Sequence, residues 1–260
     1  MADAIITRRG GGGTISEFVE IEFNNFTVGS GEIVKSTPTA LSVARWALAG
    51  TTIGDYALFA GGYTGSASNV VDAYTSSLVR STATPLSQAR YNLAATSIGD
   101  YALFAGGTTG SASNAVDAYT SSLVRTTPTA LSQARYDLSA TSIGDYALFA
   151  GGNTGSASNV VDAYTSSLVR STATSLSVAR DSIGATTIGD YALFADGYKG
   201  SASNVVDAYS QAFGDIDIPI TSGSKYKLNS DTEVTATTSG IITVNTPLTG
   251  YIKYKKGVLE

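Results

Sequence analysis

The sequence contains no cysteine and no histidine, and these two absences exclude several kinds of chemistry. Without cysteine, the 260 residues form no disulfide and no thiolate metal site. Without histidine, the chain lacks the most frequent general base and the most frequent protein metal ligand. Charged residues are also scarce, at 14%, whereas hydrophobic residues reach 43%. This composition favours a folded chain with a buried core over a disordered one.

The charge balance is mildly acidic, with 16 Lys+Arg against 21 Asp+Glu and a net charge of -5. Nucleic-acid binding requires a basic surface, so no nucleic-acid partner is expected. No apolar run approaches the roughly 20 residues that span a bilayer, so no membrane insertion is expected either. The first ten residues lack the long apolar stretch of a signal peptide, which predicts that the chain is not exported by the Sec route.

A unit of 45 residues recurs four times, and it dominates the sequence. Its copies begin at Leu41, Leu86, Leu131 and Leu176. Each copy opens with Leu-Ser-x-Ala-Arg and continues through Ile-Gly-Asp-Tyr-Ala-Leu-Phe-Ala to Ser-Ala-Ser-Asn-x-Val-Asp-Ala-Tyr. A period of this length indicates an architecture of stacked modules.

Turn residues divide each copy into four short segments. In the first copy the turns are Gly54-Asp55, Gly61-Gly62 and Thr75-Ser76-Ser77, and the segments between them are rich in strand-forming residues. The predicted strands are residues 46–53, 56–60, 69–74 and 78–82, and alternation places Val71 and Ala73 on one face of the third. No stretch of 12 residues shows a helical period, which argues against a helical solenoid. A β-solenoid fits less well because its usual coil is about half as long. Four strands per copy are typical of a β-propeller blade.

These motifs resemble those of the Kelch family of β-propellers. The resemblance rests on the strand that ends in Gly61-Gly62, on Tyr74 a dozen residues later, and on Arg45 before the first strand, together with their equivalents in copies two and three. The chain departs from the family pattern where Leu78 replaces the tryptophan of the fourth strand, and where Asp196-Gly197 replaces the glycine doublet of copy four. The resemblance covers about two-thirds of the chain and implies a propeller of four-stranded blades.

The ends of the repeat region predict how such a ring closes. Copy four departs from the pattern after Tyr209, whereas residues 32–40 resemble residues 123–130. We therefore expect an all-β fold, a propeller of four Kelch-like blades that the N-terminal strand 32–40 closes. Two chains that share one eight-bladed ring, or a fifth blade from residues 15–31 and the C-terminal region, are the alternatives. The predicted domains are a flexible Gly-rich arm with a lead-in strand (1–31), the propeller (32–213) and a small C-terminal β region (214–260).

Charged residues that recur in every copy are predicted to be structural. The arginine and the aspartate of each copy are expected to bind each other or the backbone, although a ring of arginines in a central channel could instead bind an anion. These residues are Arg45, Arg90, Arg135, Arg180, Asp72, Asp117, Asp162 and Asp207. The aspartates that follow glycine in Gly54-Asp55 and its equivalents suit tight turns. One aspartate per turn does not make a metal site.

Positions that vary among the otherwise similar copies are the candidate ligand-binding residues. They lie at the start of the first strand and just after the glycine doublet. They are Trp46, Tyr63, Tyr91, Thr108, Tyr136, Asn153, Asp181 and Tyr198. Such positions are often merely exposed to solvent, but on one face of a ring they would stack on a sugar or a protein epitope and form hydrogen bonds with it.

The expected function is binding rather than catalysis. The acidic residues recur with the repeat, whereas a catalytic constellation is normally unique, so no catalytic residue, metal or cofactor is predicted. Kelch-like oxidases require histidine among their copper ligands, and this chain has none.

Residues 1–13 and residues 250–255 resemble short structural proteins of bacteriophages and prophages, and the near-identical Kelch-like copies resemble phage tail-associated proteins. This implies a virion component that recognises a host surface, located in the phage tail or, before assembly, in the bacterial cytoplasm. Its partners would be other virion proteins, bound through residues 1–31 or the C-terminal region, and a cell-surface glycan or protein. The chain could also associate with copies of itself. A bacterial glycan- or protein-binding propeller unrelated to virions is the alternative function.

Overall fold

The computed structural model describes residues 33–211 and four further strands between residues 216 and 244. The chain divides into two compact units, Met1–Pro38 and Thr39–Glu260. All regular structure in the described residues is β-strand, which confirms the predicted all-β class. No helix long and apolar enough to cross a membrane occurs in the described part of the chain.

Each copy of the repeat forms one antiparallel sheet, with its strands side by side in chain order. The first sheet contains β1 (Ala49–Ile53), β2 (Tyr56–Ala60), β3 (Val71–Thr75) and β4 (Arg80–Thr82). The second contains β5 (Ala94–Ile98), β6 (Tyr101–Ala105), β7 (Val116–Tyr119) and β8 (Arg125–Thr126). The third contains β9 (Ser139–Ile143), β10 (Tyr146–Ala150), β11 (Val161–Thr165) and β12 (Arg170–Thr172). The fourth contains β13 (Gly184–Ile188), β14 (Tyr191–Ala195) and β15 (Val206–Tyr209).

Two further strand pairs follow the repeats. β16 (Ile216–Ile220) pairs with β19 (Gly240–Val244), and β17 (Lys225–Lys227) pairs with β18 (Glu233–Thr235), both antiparallel.

The outer limits of the strands differ from the sequence prediction where the backbone turns. The first strand was expected from Trp46, but Ala47 has a left-handed φ of 54° and β1 begins at Ala49. The fourth strand was expected from Leu78, but Leu78 has a φ of 62° and β4 begins at Arg80. These angles are unusual for residues other than glycine. The angle of Ala47 recurs at the same position in all the other copies, and that of Leu78 recurs in copies two and three.

The sheets pack face to face in sequence order and bury one core between each neighbouring pair. One face of the first sheet, which includes Leu58 and Val71, packs against the opposite face of the second sheet, which includes Phe104 and Tyr119. The same pairing of faces joins the second sheet to the third and the third to the fourth. We call the Leu58 side of a sheet its leading face and the Phe104 side its trailing face.

The glycine doublet is explained by the approach of the next sheet. A Cβ atom on Gly61, Gly106 or Gly151 would lie only 2.6 to 2.7 Å from the carbonyl oxygen of an arginine in the following copy. All three glycines also have left-handed φ angles, between 65° and 71°. Only glycine meets both conditions without strain.

The predicted closure of the ring within one chain is wrong. Residues 33–40 form no strand, and Ile33 and Val34 are 100% and 79% exposed. In the described part of the chain, the fourth sheet has three strands. There β1 contacts β5, β5 contacts β9 and β9 contacts β13, with no comparable contact between β13 and β1. Thr39 is tied to the first sheet by a 2.7 Å hydrogen bond from Tyr74, just as Thr84, Thr129 and Thr174 are tied to the sheets that follow them. Because the first sheet is not packed against the fourth, the segment before Thr39 has no strand of the fourth sheet to pair with. The described residues therefore form an open row of four sheets.

Candidate functional site

The recurring arginine and aspartate of each copy form an ion pair inside their own sheet. The shortest nitrogen–oxygen distances are 2.8 Å for Arg45–Asp72 and 2.7 Å for both Arg135–Asp162 and Arg180–Asp207. Arg90 pairs with Asp117 in the same way. The arginine side chains are fully buried. They are therefore not available to bind an anion in a central channel.

Further hydrogen bonds tie this pair to the backbone. Arg90 donates to the carbonyl oxygens of Phe104 and Gly106, each at 3.0 Å, and the Ser87 amide donates to Asp117 at 2.9 Å. Desolvation lowers the pKa of Arg90, although its attraction to Asp117 opposes this. The network links the two ends of one copy, because Ser87 and Arg90 precede its first strand and Asp117 lies in its third.

The candidate ligand-binding residues form four adjacent pairs. In each pair, a residue before the first strand makes an isolated antiparallel bridge with the residue that follows the doublet. The pairs are Trp46–Tyr63, Tyr91–Thr108, Tyr136–Asn153 and Asp181–Tyr198. Backbone hydrogen bonds of 2.7 to 3.2 Å close each bridge. We call these eight residues the bridge row. Positions that lie 17 residues apart in the sequence thus meet in space.

Three aromatic rings gather at the first end of the bridge row. The ring centroids of Tyr63 and Tyr91 lie 4.9 Å apart, and Trp46 lies 5.4 Å from Tyr63 and 6.2 Å from Tyr91. The rings meet edge to face or tilted, as aromatic pairs prefer. Trp46 is nevertheless 62% exposed. We call these three residues the aromatic cluster, and it offers open ring surface to a ligand.

The other end of the row is polar. Asn153 donates a 2.9 Å hydrogen bond from Nδ2 to the carboxylate of Asp181, which is buried at 7% exposure. Thr108, another member of the row, is equally buried. Tyr198 is 54% exposed. The structure therefore leaves some members of the row open to a partner and encloses others.

A shallow open depression of about 380 Å³ lies beside the row. It is lined by the residue that follows the first member of each pair, namely Ala47, Asn92, Asp137 and Ser182, and by the next residue in each copy. These four residues differ from copy to copy, but they were not among the predicted site residues. Burial, together with the nearby carboxylate of Asp181, raises the pKa of Asp137.

The turn aspartates lie where the sequence predicted. Asp55, Asp100, Asp145 and Asp190 each follow glycine in the tight turn between the first two strands of a copy. Asp145 also bonds to Gln211, through its amide at 3.0 Å and its carboxylate at 3.2 Å. Within the described residues, no group of three or more acidic side chains is placed to hold a metal ion.

The fold defines the class of this chain as an all-β repeat protein built from antiparallel sheets of three or four strands. The chain matches no protein-family model, and a search of curated proteins found no match.

Proposed function

We propose that this chain is a non-enzymatic binding module that uses a Kelch-like, propeller-type array to recognise a surface glycan. The aromatic cluster carries the proposal. Trp46 and its two tyrosine neighbours combine exposed ring surface with fixed geometry, and aromatic rings of this kind stack on the apolar faces of sugars. Because tightly packed aromatic residues also lose little freedom on binding, they are frequent hot spots of recognition.

The polar end of the bridge row complements this surface. Tyr136 and Tyr198 lie in the same row, Tyr198 is 54% exposed, and tyrosine hydroxyl groups orient a ligand through hydrogen bonds. The repeated aspartates of the third strand, by contrast, are held in ion pairs with the repeated arginines, which suits a structural role better than acid–base catalysis.

We place this module in a phage or prophage virion, as a tail-associated protein that contacts the host surface. The support is the resemblance of the two termini and of the repeats to phage structural proteins. A bacterial glycan-binding or protein-binding module unrelated to virions is the alternative. Mass spectrometry of purified particles from a producing strain tests the placement: the chain should co-purify with particles through a density gradient, and its absence from them would favour the alternative.

Binding is tested on a glycan array with the full chain. The double substitution Trp46→Ala/Tyr63→Ala should weaken binding at least about tenfold, since loss of two hot-spot residues costs more than about 1.4 kcal/mol. Val124→Ala is the control, because Val124 is 57% exposed and lies outside both the bridge row and the cores between the sheets. Unchanged binding by the double variant would overturn the role of the cluster. Binding to host proteins in place of glycans would revise the ligand class.

A further inference from the structure

The three contacts between neighbouring sheets share one pattern of backbone hydrogen bonds. Four bonds connect the second copy to the third, and their equivalents connect the first to the second and the third to the fourth, all at 2.8 to 3.1 Å. For the second and third copies they run from Gly107 to Arg135, from Leu131 to Asn114, from Arg135 to Ser113 and from Asp137 to Asn92, donor first. The junction between sheets is therefore one structure repeated three times.

The first and the last sheet of the row of four sheets each carry one half of this junction. On the first copy they are the amides of Leu41, Arg45 and Ala47 and the carbonyl of Arg45. On the fourth copy they are the carbonyls of Asn204, Ser203 and Ser182 and the amide of Gly197. Within residues 33–211, none of these groups makes the bond that its equivalents make. Donors at one end match acceptors at the other.

The apolar faces at the two ends are complementary as well. On the leading face of the fourth sheet, Ile188 is 66% exposed and Val206 is 58% exposed. Their equivalents in the first three sheets are at most 8% exposed, because the next sheet covers them. On the trailing face of the first sheet, Phe59 is half-buried, whereas Phe104, Phe149 and Phe194 are fully buried.

Among the described residues, the fourth sheet also has no outer strand. In the first three sheets an arginine of that strand pairs with the buried aspartate, at 3.0 to 3.5 Å. Asp207 pairs with Arg180 only, among the described residues. Residues 34–37 read Val-Lys-Ser-Thr, and residues 79–82 of an outer strand read Val-Arg-Ser-Thr. In a second copy, this segment would supply both the missing strand and, through Lys35, the missing cation.

We infer that two copies of this chain join head to tail at both ends and close one ring of eight sheets. The leading face of the fourth sheet in each copy binds the trailing face of the first sheet in the other. Contacts of this head-to-tail kind either close a ring or form an open filament. Eight blades lie within the range that propellers adopt, and closure removes every exposed end.

Asp196 makes the junction between copies weaker than the three internal ones. It occupies the position of Gly61, where a Cβ atom would approach the next arginine carbonyl to 2.6 Å, so the partner's first sheet must shift locally. The backbone at Asp196 keeps the left-handed φ of 64°. Asp196→Gly should therefore lower the dimer dissociation constant at least tenfold, without changing any other contact.

The mass of the full chain in solution tests the ring. Sedimentation equilibrium should show a concentration-dependent species of twice 26.6 kDa. Val206→Asp should yield only monomer, whereas Val169→Asp, at a residue 61% exposed outside the junctions, should leave the dimer intact. Both variants should keep the circular dichroism of the parent. A monomer at all concentrations, an open series of larger species, or a dimer unaffected by Val206→Asp would overturn the inference.

Engineered cysteines test the direction of joining, because the chain has none of its own. The hydroxyls of Thr141 and Thr187 lie 2.8 Å apart across an internal junction, and Thr186 and Thr52 are their equivalents at the open ends. Chains with Thr186→Cys alone and Thr52→Cys alone should cross-link on oxidation only when mixed. Thr141→Cys/Thr187→Cys, which should cross-link within one chain, is the positive control. Cross-linking of either single variant with itself would instead indicate a symmetric contact and refute head-to-tail joining.

Discussion

Replacing Gly106 by alanine should destabilise the array by pushing the second and third sheets apart. Gly106 directly follows β6 and has a left-handed φ of 69°. An added Cβ atom would lie 2.7 Å from the carbonyl oxygen of Arg135 and 2.8 Å from a methyl group of Leu138. Neither neighbour moves easily, because Arg135 is fully buried and Leu138 belongs to the core between the two sheets.

Two costs add in this variant. A left-handed backbone costs a residue with a Cβ about 1–2 kcal/mol. Overpacking a tight contact costs typically about 1–3 kcal/mol more. The sum is about 2–5 kcal/mol. Gly189→Ala separates the two terms, since Gly189 also has a left-handed φ, of 52°, but nothing lies within 4 Å of its added Cβ atom. That variant should lose only the backbone term.

Urea unfolding followed by far-ultraviolet circular dichroism measures both free energies. Both variants are made in a Val206→Asp background, so that no second copy covers the fourth sheet, which contains Gly189. Gly106→Ala should be the less stable by about 1–3 kcal/mol, the overpacking cost. Equal losses would refute the claim that contact with the next sheet, rather than backbone conformation alone, requires glycine here.

Two further substitutions probe the charged groups. Asp117→Ala should cost about 3–5 kcal/mol in thermal or urea unfolding because it leaves Arg90 buried without its partner, and Arg90→Met/Asp117→Leu should recover most of this loss. Asp100→Ala, in an exposed turn, is the control and should change stability by less than about 0.5 kcal/mol. Equal effects of Asp117→Ala and Asp100→Ala would contradict the claim that the buried ion pair stabilises the fold. Asp137→Asn should stabilise the fold by a few tenths of a kcal/mol at neutral pH, because the raised pKa of Asp137 means that its ionised form disfavours the folded state. The stability that protonated Asp137 contributes is complete below its unfolded pKa near 3.8 and is lost as pH rises through its folded pKa. The stabilisation by Asp137→Asn should therefore vanish in acid, and a stabilisation independent of pH would contradict this explanation.

Local patterns in the sequence were sufficient to predict the strands. Tyr56–Ala60 is a strand because apolar residues lie between two glycine turns, and those turns recur in every copy. The alternation in β3 also placed Val71 and Ala73 together, and both are buried on the leading face. The pairing of arginine with aspartate could be expected because a charge that recurs within a core requires a partner. Strand starts were harder to predict, since the left-handed turns at Ala47 and Leu78 use residues that rarely adopt them.

The candidate site depended on contacts that no short segment contains. The sequence marked Trp46, Tyr63 and Tyr91 as variable, but only the bridges between distant segments bring their rings within 4.9 to 6.2 Å of one another. Asp137 and its equivalents line one depression only because the four sheets are stacked side by side.

The amino-acid sequence by itself determined the repeating unit, its four-stranded plan and the buried ion pair, because turns, alternation and charge act within one copy. Whether the row of sheets closes was decided by tertiary structure alone. Small rotations between neighbouring sheets add up along the row, and nothing in a single copy specifies their sum.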